Sequence, residues 1–327
     1  MEFSFLSQAK IYSHLGRVEE WLRTGTCFPV TIEIDPTNTC TRNCPACAGN
    51  RFQEGKLPLD FMKNIIRQIK PFCRGLTFTG GGEPLCNDDT LEAIEYAKKS
   101  GMDVALVTNG DLLNQEKALK IVKNCTYIRV SYMDDETSNK LKLLVEAREK
   151  AKSNCTIGVS MLTNKERAQL MKRFVAQAKK SKADYAQFRP FHLDMFDARK
   201  IIGGLQKGYD NNNFKIITSG YKYENMEEKK KGIKKYNISF ADNFRTVIAS
   251  DGKIYPDCFT RGMENFSLGD LKKDSFAKIW RSKRRKRISE TKLDQKNCPP
   301  MCYHDPLSEL LWDIWRQYQE GDHANFV

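Results

Sequence analysis

Cys40, Cys44 and Cys47 fall within eight residues, in the run Cys40-Thr41-Arg42-Asn43-Cys44-Pro45-Ala46-Cys47. The gaps of three and then two residues supply three thiolates on one short loop, not four. Three thiolates hold three corners of a cubane iron–sulfur cluster and leave one iron open. Structural zinc sites and ordinary electron-transfer clusters close all four positions. An open iron binds a substrate or cofactor directly, so the loop is expected to do chemistry.

A second group, Cys258, Cys298 and Cys302, follows late in the chain, the last two in Cys298-Pro299-Pro300-Met301-Cys302. His304 and Asp305 stand just beyond it as candidates for a fourth ligand, with an open site as the third option. Spacing alone leaves a zinc site of the Cys3His kind beside an iron–sulfur cluster, because thiolates suit both metals. The other five cysteines, Cys27, Cys73, Cys86, Cys125 and Cys155, read by default as buried apolar residues.

The elements that must position these groups follow from periodicity. Val30–Asp35, Gly75–Thr79, Asp103–Thr108, Tyr127–Ser131, Thr156–Met161 and Tyr185–Pro190 read as strands. Helical patterns lie between them at Leu59–Ile69, Thr90–Lys99, Leu112–Val122, Glu136–Lys152 and Lys165–Lys180. Such alternation implies parallel strands with right-handed crossovers, in a doubly wound sheet or a full or partial barrel. Both architectures place sites at the C-terminal ends of the strands. The cysteine loop, the Gly80-Gly81-Gly82-Glu83-Pro84 turn and the Thr108-Asn109-Gly110 turn all fall at that end. After about residue 205 the pattern changes: 206–240 is polar and lysine-rich and reads as a linker or exposed insertion. Arg245–Ala249 and Lys253–Tyr255 flank Asp251-Gly252, a two-residue hairpin signal. Leu271–Arg287 and Leu307–Tyr318 read as helices.

Composition sets bounds. The 327 residues are 40% hydrophobic and 29% charged, enough for one large domain and a smaller one. No apolar run is long enough to span a membrane. The N-terminal stretch reads as an amphipathic helix and not a signal peptide. Eleven clustered cysteines without an export signal point to a reducing, cytoplasmic setting and to metal binding. The net charge of +13 is concentrated: Lys272–Lys296 holds eleven Lys/Arg against three Asp/Glu. Arg281–Arg287 is either a solvated helix face or a contact for nucleic acid or an acidic partner. No aromatics interleave with it to stack bases.

The cysteine loop and the Gly81-Gly82-Glu83-Pro84 turn, in this order and on these elements, resemble the radical S-adenosylmethionine (radical SAM) superfamily over about residues 28 to 200. The resemblance implies a partial (β/α)6 TIM-like barrel, an α/β fold, with a small C-terminal cysteine-containing extension. It implies a 4Fe–4S cluster on Cys40, Cys44 and Cys47, with S-adenosylmethionine chelating its open iron. Gly81, Gly82, Glu83 and Pro84 would then meet the methionine amine, Asn109 would lie near the nucleoside and Ser131 near the methionine carboxylate. A turn or capping role is the plain alternative for Asn109 and Ser131. Reductive cleavage of the cofactor would yield a 5′-deoxyadenosyl radical that takes a hydrogen atom from substrate. One feature departs from the family pattern: Ala46 stands where an aromatic residue is usual.

Asp251-Gly252 through Cys258, with Cys298 and Cys302, resembles the SPASM or twitch extension of the same superfamily. Three cysteines fit one auxiliary 4Fe–4S cluster, as in the shorter twitch form, with His304 as a possible further ligand. The resemblance also implies an electron donor such as flavodoxin or ferredoxin, and a small-molecule or peptide substrate. Cys86, just past Pro84, takes the position of a hydrogen-atom donor in some epimerases of the family. The expected domains are an N-terminal helical segment (1–27), a radical SAM core (28–205), the linker (206–240) and an auxiliary-cluster domain (241–327). Residues 1 to 29 are too short for the leader-binding domain of peptide-modifying relatives, which favours a small molecule, or a peptide recognised without such a domain. Oxidation, epimerisation or a related modification is the expected reaction. The competing reading is a zinc-stabilised nucleic-acid-binding protein that uses the basic 281–287 helix.

Overall fold

Alternation of buried and part-exposed residues makes the strands, and three-and-four spacing of apolar residues makes the helices that cover them. A computed structural model describes residues 7–44, 47, 55–191, 194, 196–224, 226–291 and 302–321. A 3-10 helix (Gln8–His14) and α1 (Leu15–Thr24) precede the alternating region. That region runs β1 (Thr31–Ile34), α2 (Leu59–Ile69), β2 (Gly75–Phe78), α3 (Thr90–Lys99), β3 (Asp103–Thr108) and α4 (Gln115–Asn124). It continues through β4 (Tyr127–Ser131), α5 (Thr137–Ala151), β5 (Thr156–Thr163), α6 (Met171–Lys180), β6 (Tyr185–Pro190), α7 (Arg199–Tyr209) and β7 (Lys215–Thr218). Two short helices, α8 (Gly220–Tyr223) and α9 (Met226–Lys230), lead to β8 (Arg245–Ile248), β9 (Lys253–Tyr255) and β10 (Gly269–Asp270). The chain ends in α10 (Phe276–Trp280), α11 (Lys283–Ser289) and α12 (Asp305–Glu320).

All ten strands form one sheet, in the order β10-β9-β8-β1-β2-β3-β4-β5-β6-β7. Strands β1 to β7 are parallel, each paired with its sequence neighbour. This is the partial-barrel α/β architecture expected from the sequence. One face of the strands, carrying Ile32, Ile34, Leu76, Phe78, Val104, Leu106, Ile128 and Val130, is fully or almost fully buried beneath the helices. In α2, Met62, Ile65, Ile66 and Ile69 complete this layer at 0% exposure. Each such side chain contributes roughly 1.5–3 kcal/mol on burial. The opposite, inner face carries the alternate residues, among them Glu33, Arg129, Ser131, Ser160, Gln187 and Arg189.

Three features differ from the sequence expectation, the first being α7, a helix after β6 where the pattern marks none. Within 206–240, expected as a linker or insertion, Lys215–Thr218 forms β7 and pairs parallel with β6. The run is short and flanked by polar residues, so only its pairing marks it as sheet. The single helix expected over Leu271–Arg287 is two helices. The Ser275 and Ser282 hydroxyls accept hydrogen bonds from the Lys278 and Arg285 amides, so each starts a new helix.

Strand β8 pairs parallel with β1 and antiparallel with β9, so the Asp251-Gly252 hairpin extends the barrel sheet. A second core joins the chain ends: Val18 and Trp21 of α1 pack with Ala241, Phe244, Leu307 and Leu311.

Candidate active site

The cysteine loop leaves β1 through Asp35 and Pro36. Its stem is closed by an antiparallel bridge between Thr37 and Lys56, with the Asn38 amide on the Gly55 carbonyl at 2.8 Å. The buried Asn87 amide donates to both Pro36 O and Leu57 O at 2.9 Å, fastening the two sides of the stem. Cys40 and Cys47 are exposed and Cys44 is half-buried. A turn with the Cys47 amide on the Cys44 carbonyl, at 3.1 Å, brings these two together. The Cys40 sulfur accepts from the Arg42 amide at 3.4 Å and from Asn109 Nδ2 at 3.8 Å. Burial, and then the neighbouring Cys47 and Cys40 thiols, push the Cys44 thiol up. Pro45 and Ala46 lie outside the described residues.

The glycine turn after β2 packs directly on this loop. The Gly82 amide donates to Thr37 O at 3.0 Å and the Glu83 amide to Thr39 O at 2.9 Å. A Cβ on Gly82 would stand 2.2 Å from Thr39 O, so the two backbones meet only because no side chain intervenes.

Glu83 is 3% exposed and its carboxylate faces the protein. Oε1 accepts from Thr108 Oγ1 at 2.5 Å and from the Leu85 amide at 3.1 Å, and Oε2 from the Asn109 amide at 2.7 Å. These occupy three of about four lone-pair positions on a carboxylate. Burial pushes its acid up while these donors hold it down. Glu83 therefore welds the turn after β2 to the turn after β3. What the turn presents outward is chiefly glycine backbone.

Asn109 holds the third turn against the cysteine loop. Its Nδ2 donates to Thr41 Oγ1 at 2.9 Å, and its Oδ1 accepts from the Asp111 amide at 2.9 Å. Gly110 takes φ +76°, a conformation L side chains avoid, which turns the chain to deliver Asp111. Asp111 was not legible as a site residue in the sequence. Both its oxygens are gripped by Arg42, at 2.6 and 2.8 Å, and further bonds come from Thr41 Oγ1 at 2.9 Å and Lys140 Nζ at 2.5 Å. Arg42 also reaches Asp134 at 2.9 Å. The Arg42 guanidinium, with Lys140 and Thr41, holds the Asp111 carboxyl well below the usual range. Ser131 ends β4 on the inner face, half-buried, paired in register with Ser160.

Cys86 closes a 3-10 turn (Pro84–Cys86) and is half-buried. Burial, followed by Glu83 and Cys40, pushes its thiol up, so it stands beside the first loop as a protonated S–H. Cys27, Cys73, Cys125 and Cys155 are all buried, as read from the sequence. Burial holds the first two and Cys155 up at about 12.

In the second cysteine region, Asp257 Oδ1 accepts from the Phe259 and Thr260 amides at 2.6 and 2.9 Å, which turns the chain at Cys258. Arg261 then reaches the end of β1, where its Nε lies 2.7 Å from Asp35 Oδ2, both side chains almost fully buried. Cys302 is 1% exposed. His304 is equally buried; its Nδ1 lies 2.8 Å from Asp242 Oδ1, and its Nε2 has no partner among the described residues. Asp305 is already engaged by Lys234 at 2.7 Å and Tyr236 OH at 2.5 Å. Cys298 lies outside the described residues.

Of the basic residues in 281–287, only Arg285 is buried. Arg285 is 2% exposed, donates to Thr26 Oγ1 and Asn243 Oδ1 at 2.6 Å, and lies over the Trp280 ring. Arg284 donates to Ser267 O and Glu264 O, and Arg281 lies over Phe28. Arg281, Lys283, Arg284, Lys286 and Arg287 remain exposed.

The residues present suit an iron–sulfur cluster by their type and order, although among the described residues no three Cys, His, Asp or Glu side chains converge closely enough to hold a metal ion. Three thiols share one loop, N–H donors point at the first sulfur, and the Gly82–Thr39 contact leaves side-chain-free backbone at the rim.

Comparison with known proteins agrees. Residues 34–150 match the Radical SAM superfamily, and residues 240–304 match the SPASM iron–sulfur cluster-binding domain. The AdoMet-dependent heme synthase of Methanosarcina barkeri is 32% identical over 99 residues, 29% of this chain and 28% of that protein. The match thus spans well under half of that relative. The tungsten-containing aldehyde ferredoxin oxidoreductase cofactor-modifying protein of Pyrococcus furiosus is 21% identical over 77% of this chain and 81% of its own. Among solved structures, Streptococcus suis SuiB bound to precursor peptide SuiA superposes with a TM-score of 0.66 at 16% identity. That superposition covers 93% of this chain and 79% of SuiB. No described helix is long and apolar enough to cross a membrane. Residues 34–150 are thus a radical SAM superfamily domain, and residues 240–304 a SPASM iron–sulfur cluster-binding domain.

Proposed function

We propose that Cys40, Cys44 and Cys47 hold the 4Fe–4S cluster at which this enzyme uses S-adenosylmethionine to abstract a hydrogen atom from a substrate. The observation that carries this is the rim itself. Three thiols sit on a loop whose stem is pinned by Asn87 and whose tip is clamped through Arg42 and Asp111. A reduced cluster held by these thiols would supply the one-electron chemistry that cleaves the sulfonium. The protein's part is to orient. The glycine turn offers backbone to the methionine end, with Ser131 toward its carboxylate and Asn109 toward the nucleoside, and Glu83 keeps the turns in register.

Cys258, Cys298 and Cys302 are proposed to hold one auxiliary 4Fe–4S cluster, with His304 as a further ligand. The Asp242 carboxylate on His304 Nδ1 leaves Nε2 as the coordinating atom, the arrangement typical of metal-bound histidine. The proposed domains keep 28–205 as core and 241–327 as auxiliary-cluster domain. Oxidation or epimerisation is the proposed outcome, with a flavodoxin or ferredoxin as electron donor. Relatives named for heme synthesis and cofactor modification support a small-molecule substrate, with a peptide as the alternative.

The test is anaerobic reconstitution, metal analysis and reduction with S-adenosylmethionine. About eight irons with acid-labile sulfide, and formation of 5′-deoxyadenosine, are expected. Zinc without sulfide, or no 5′-deoxyadenosine under any reductant, would sink the reading. Cys86→Ala tests the hydrogen-donor role once a product is known. Unchanged stereochemistry and solvent deuterium uptake would reject it.

A further inference from the structure

Two part-buried arginines on the inner face of the barrel form no ion pair with a carboxylate among the described residues. Arg129 on β4 and Gln187 and Arg189 on β6 share this face with Ser160 of β5. The parallel register pairs Ser131 with Ser160, Ser160 with Gln187 and Leu162 with Arg189. Their alternate neighbours Ile128, Val130, Val159, Met161, Ala186 and Phe188 are buried in the helix-covered core.

Arg129 Nη1 donates to Gln187 Oε1 at 3.3 Å, and Gln187 Nε2 donates to Ser219 Oγ at 3.4 Å. The Nε of Arg129 and of Arg189 is buried without a hydrogen-bond partner among the described residues. The Ser160 hydroxyl, on a residue 3% exposed, is likewise unpartnered. The two guanidinium groups are close enough to repel. Burial and the neighbouring Arg129 charge disfavour the Arg189 cation, while Tyr221 and the Cys258 thiol favour it.

Buried cations are ordinarily paired, and a buried donor left unmade is costly. Here a cationic pair, a hydroxyl and an amide converge from three adjacent strands. Guanidinium forks are matched in geometry to the oxygens of carboxylate and phosphate.

We propose that the inner face of β4–β6, through Arg129, Arg189 and Ser160, binds an oxyanion carried by the substrate, a carboxylate or a phosphate ester. Calling the ligand the substrate rests on the radical SAM reading; the anion site itself does not. The acidic group docks on the strands while the rest of the molecule extends toward the cysteine rim.

The experiment uses reconstituted protein with both clusters, so that cluster charge is already in place. Inorganic phosphate and glutarate are titrated at fixed ionic strength by calorimetry, which separates a phosphate site from a carboxylate site. One of them should bind saturably, with at least tenfold weaker binding in Arg129→Gln and in Arg189→Gln and a smaller loss in Arg189→Lys. If the glutamine variants do not fold, Ser160→Ala serves in their place, with a severalfold loss expected. Saturating S-adenosylmethionine should leave the probe bound. Displacement of the probe by S-adenosylmethionine, absence of saturable binding by both probes, or affinities indifferent to these substitutions would each overturn the proposal. Failure of 5′-deoxyadenosine formation would instead overturn the radical reading and leave the anion result standing.

Discussion

Asp111 ties more of the rim together than any cysteine does. It collects Arg42, Thr41 and Lys140, and so joins the cysteine loop to the β3 turn and to α5. Both oxygens are used, and the side chain is 19% exposed, so solvent competes only weakly. Hydrogen bonds to charged groups at such depth are worth roughly 1.5–3 kcal/mol each to break one-sidedly. Asp111→Asn should therefore cost about 2 kcal/mol in urea denaturation of the reduced apoprotein, and should lower iron incorporation on reconstitution. The pH dependence has a definite sign. The folded carboxyl titrates below the unfolded one, so its contribution is present above the ordinary aspartate range and fades as pH falls toward the folded value. The gap between wild type and Asp111→Asn should hold steady from neutral pH down to about 5 and narrow below about 4. A gap that widens on acidification would contradict the clamp.

Among the elements, the joint between β1 and the SPASM hairpin is the one on which the second cysteine region depends. β8 lies parallel to β1, and Arg261 reaches back from beside Cys258 to Asp35 at the strand's end. Both partners are almost fully buried, so removing one leaves an uncompensated charge, a loss of roughly 3–5 kcal/mol. Asp35→Asn is expected to lower the unfolding temperature sharply. Asp35→Leu combined with Arg261→Leu should recover much of the loss, because a buried ion pair replaced by apolar residues is often nearly neutral. Thermal unfolding of the three variants checks this. A double variant as unstable as the single one would mean that the pair's hydrogen bonds, and not its charge balance, hold the joint.

For the molecule as a whole, the C-terminal region is part of the sheet. It covers the open edge of β1 and, through Phe244, Leu307 and Leu311, the apolar face of α1. An uncovered strand edge invites pairing with other chains. A chain truncated after Ser239 would expose that edge together with Val18 and Trp21. It should elute as aggregate in size-exclusion chromatography, where the full chain gives a discrete peak. A truncated chain that stays discrete would show that the core folds without its extension.

Local spacing was enough to read the chemistry. The gaps between Cys40, Cys44 and Cys47 bound how far apart their sulfurs can lie, and period-two and period-three-to-four patterns mark β1–β6 and their helices. Both are properties of a few neighbouring residues, so they survive without a fold. The roles of Asp111, Arg285 and His304 are set by partners 69, 42 and 62 residues away, for Arg42, Asn243 and Asp242 respectively. Nothing in the residue types announces those meetings. Arg285 sits in a run that looks solvated, yet it turns inward because Trp280 and Asn243 provide a ring and an acceptor. Strand β7 is too short to declare itself, and becomes sheet because β6 offers it an edge. Glu83 looks like a ligand for an ammonium group, and only the packing of three turns against one another reveals that its oxygens are mostly spoken for. Covalent spacing thus carried the kind of chemistry, whereas burial and long-range pairing, which no local pattern encodes, decided which side chains face the site and which hold it in place.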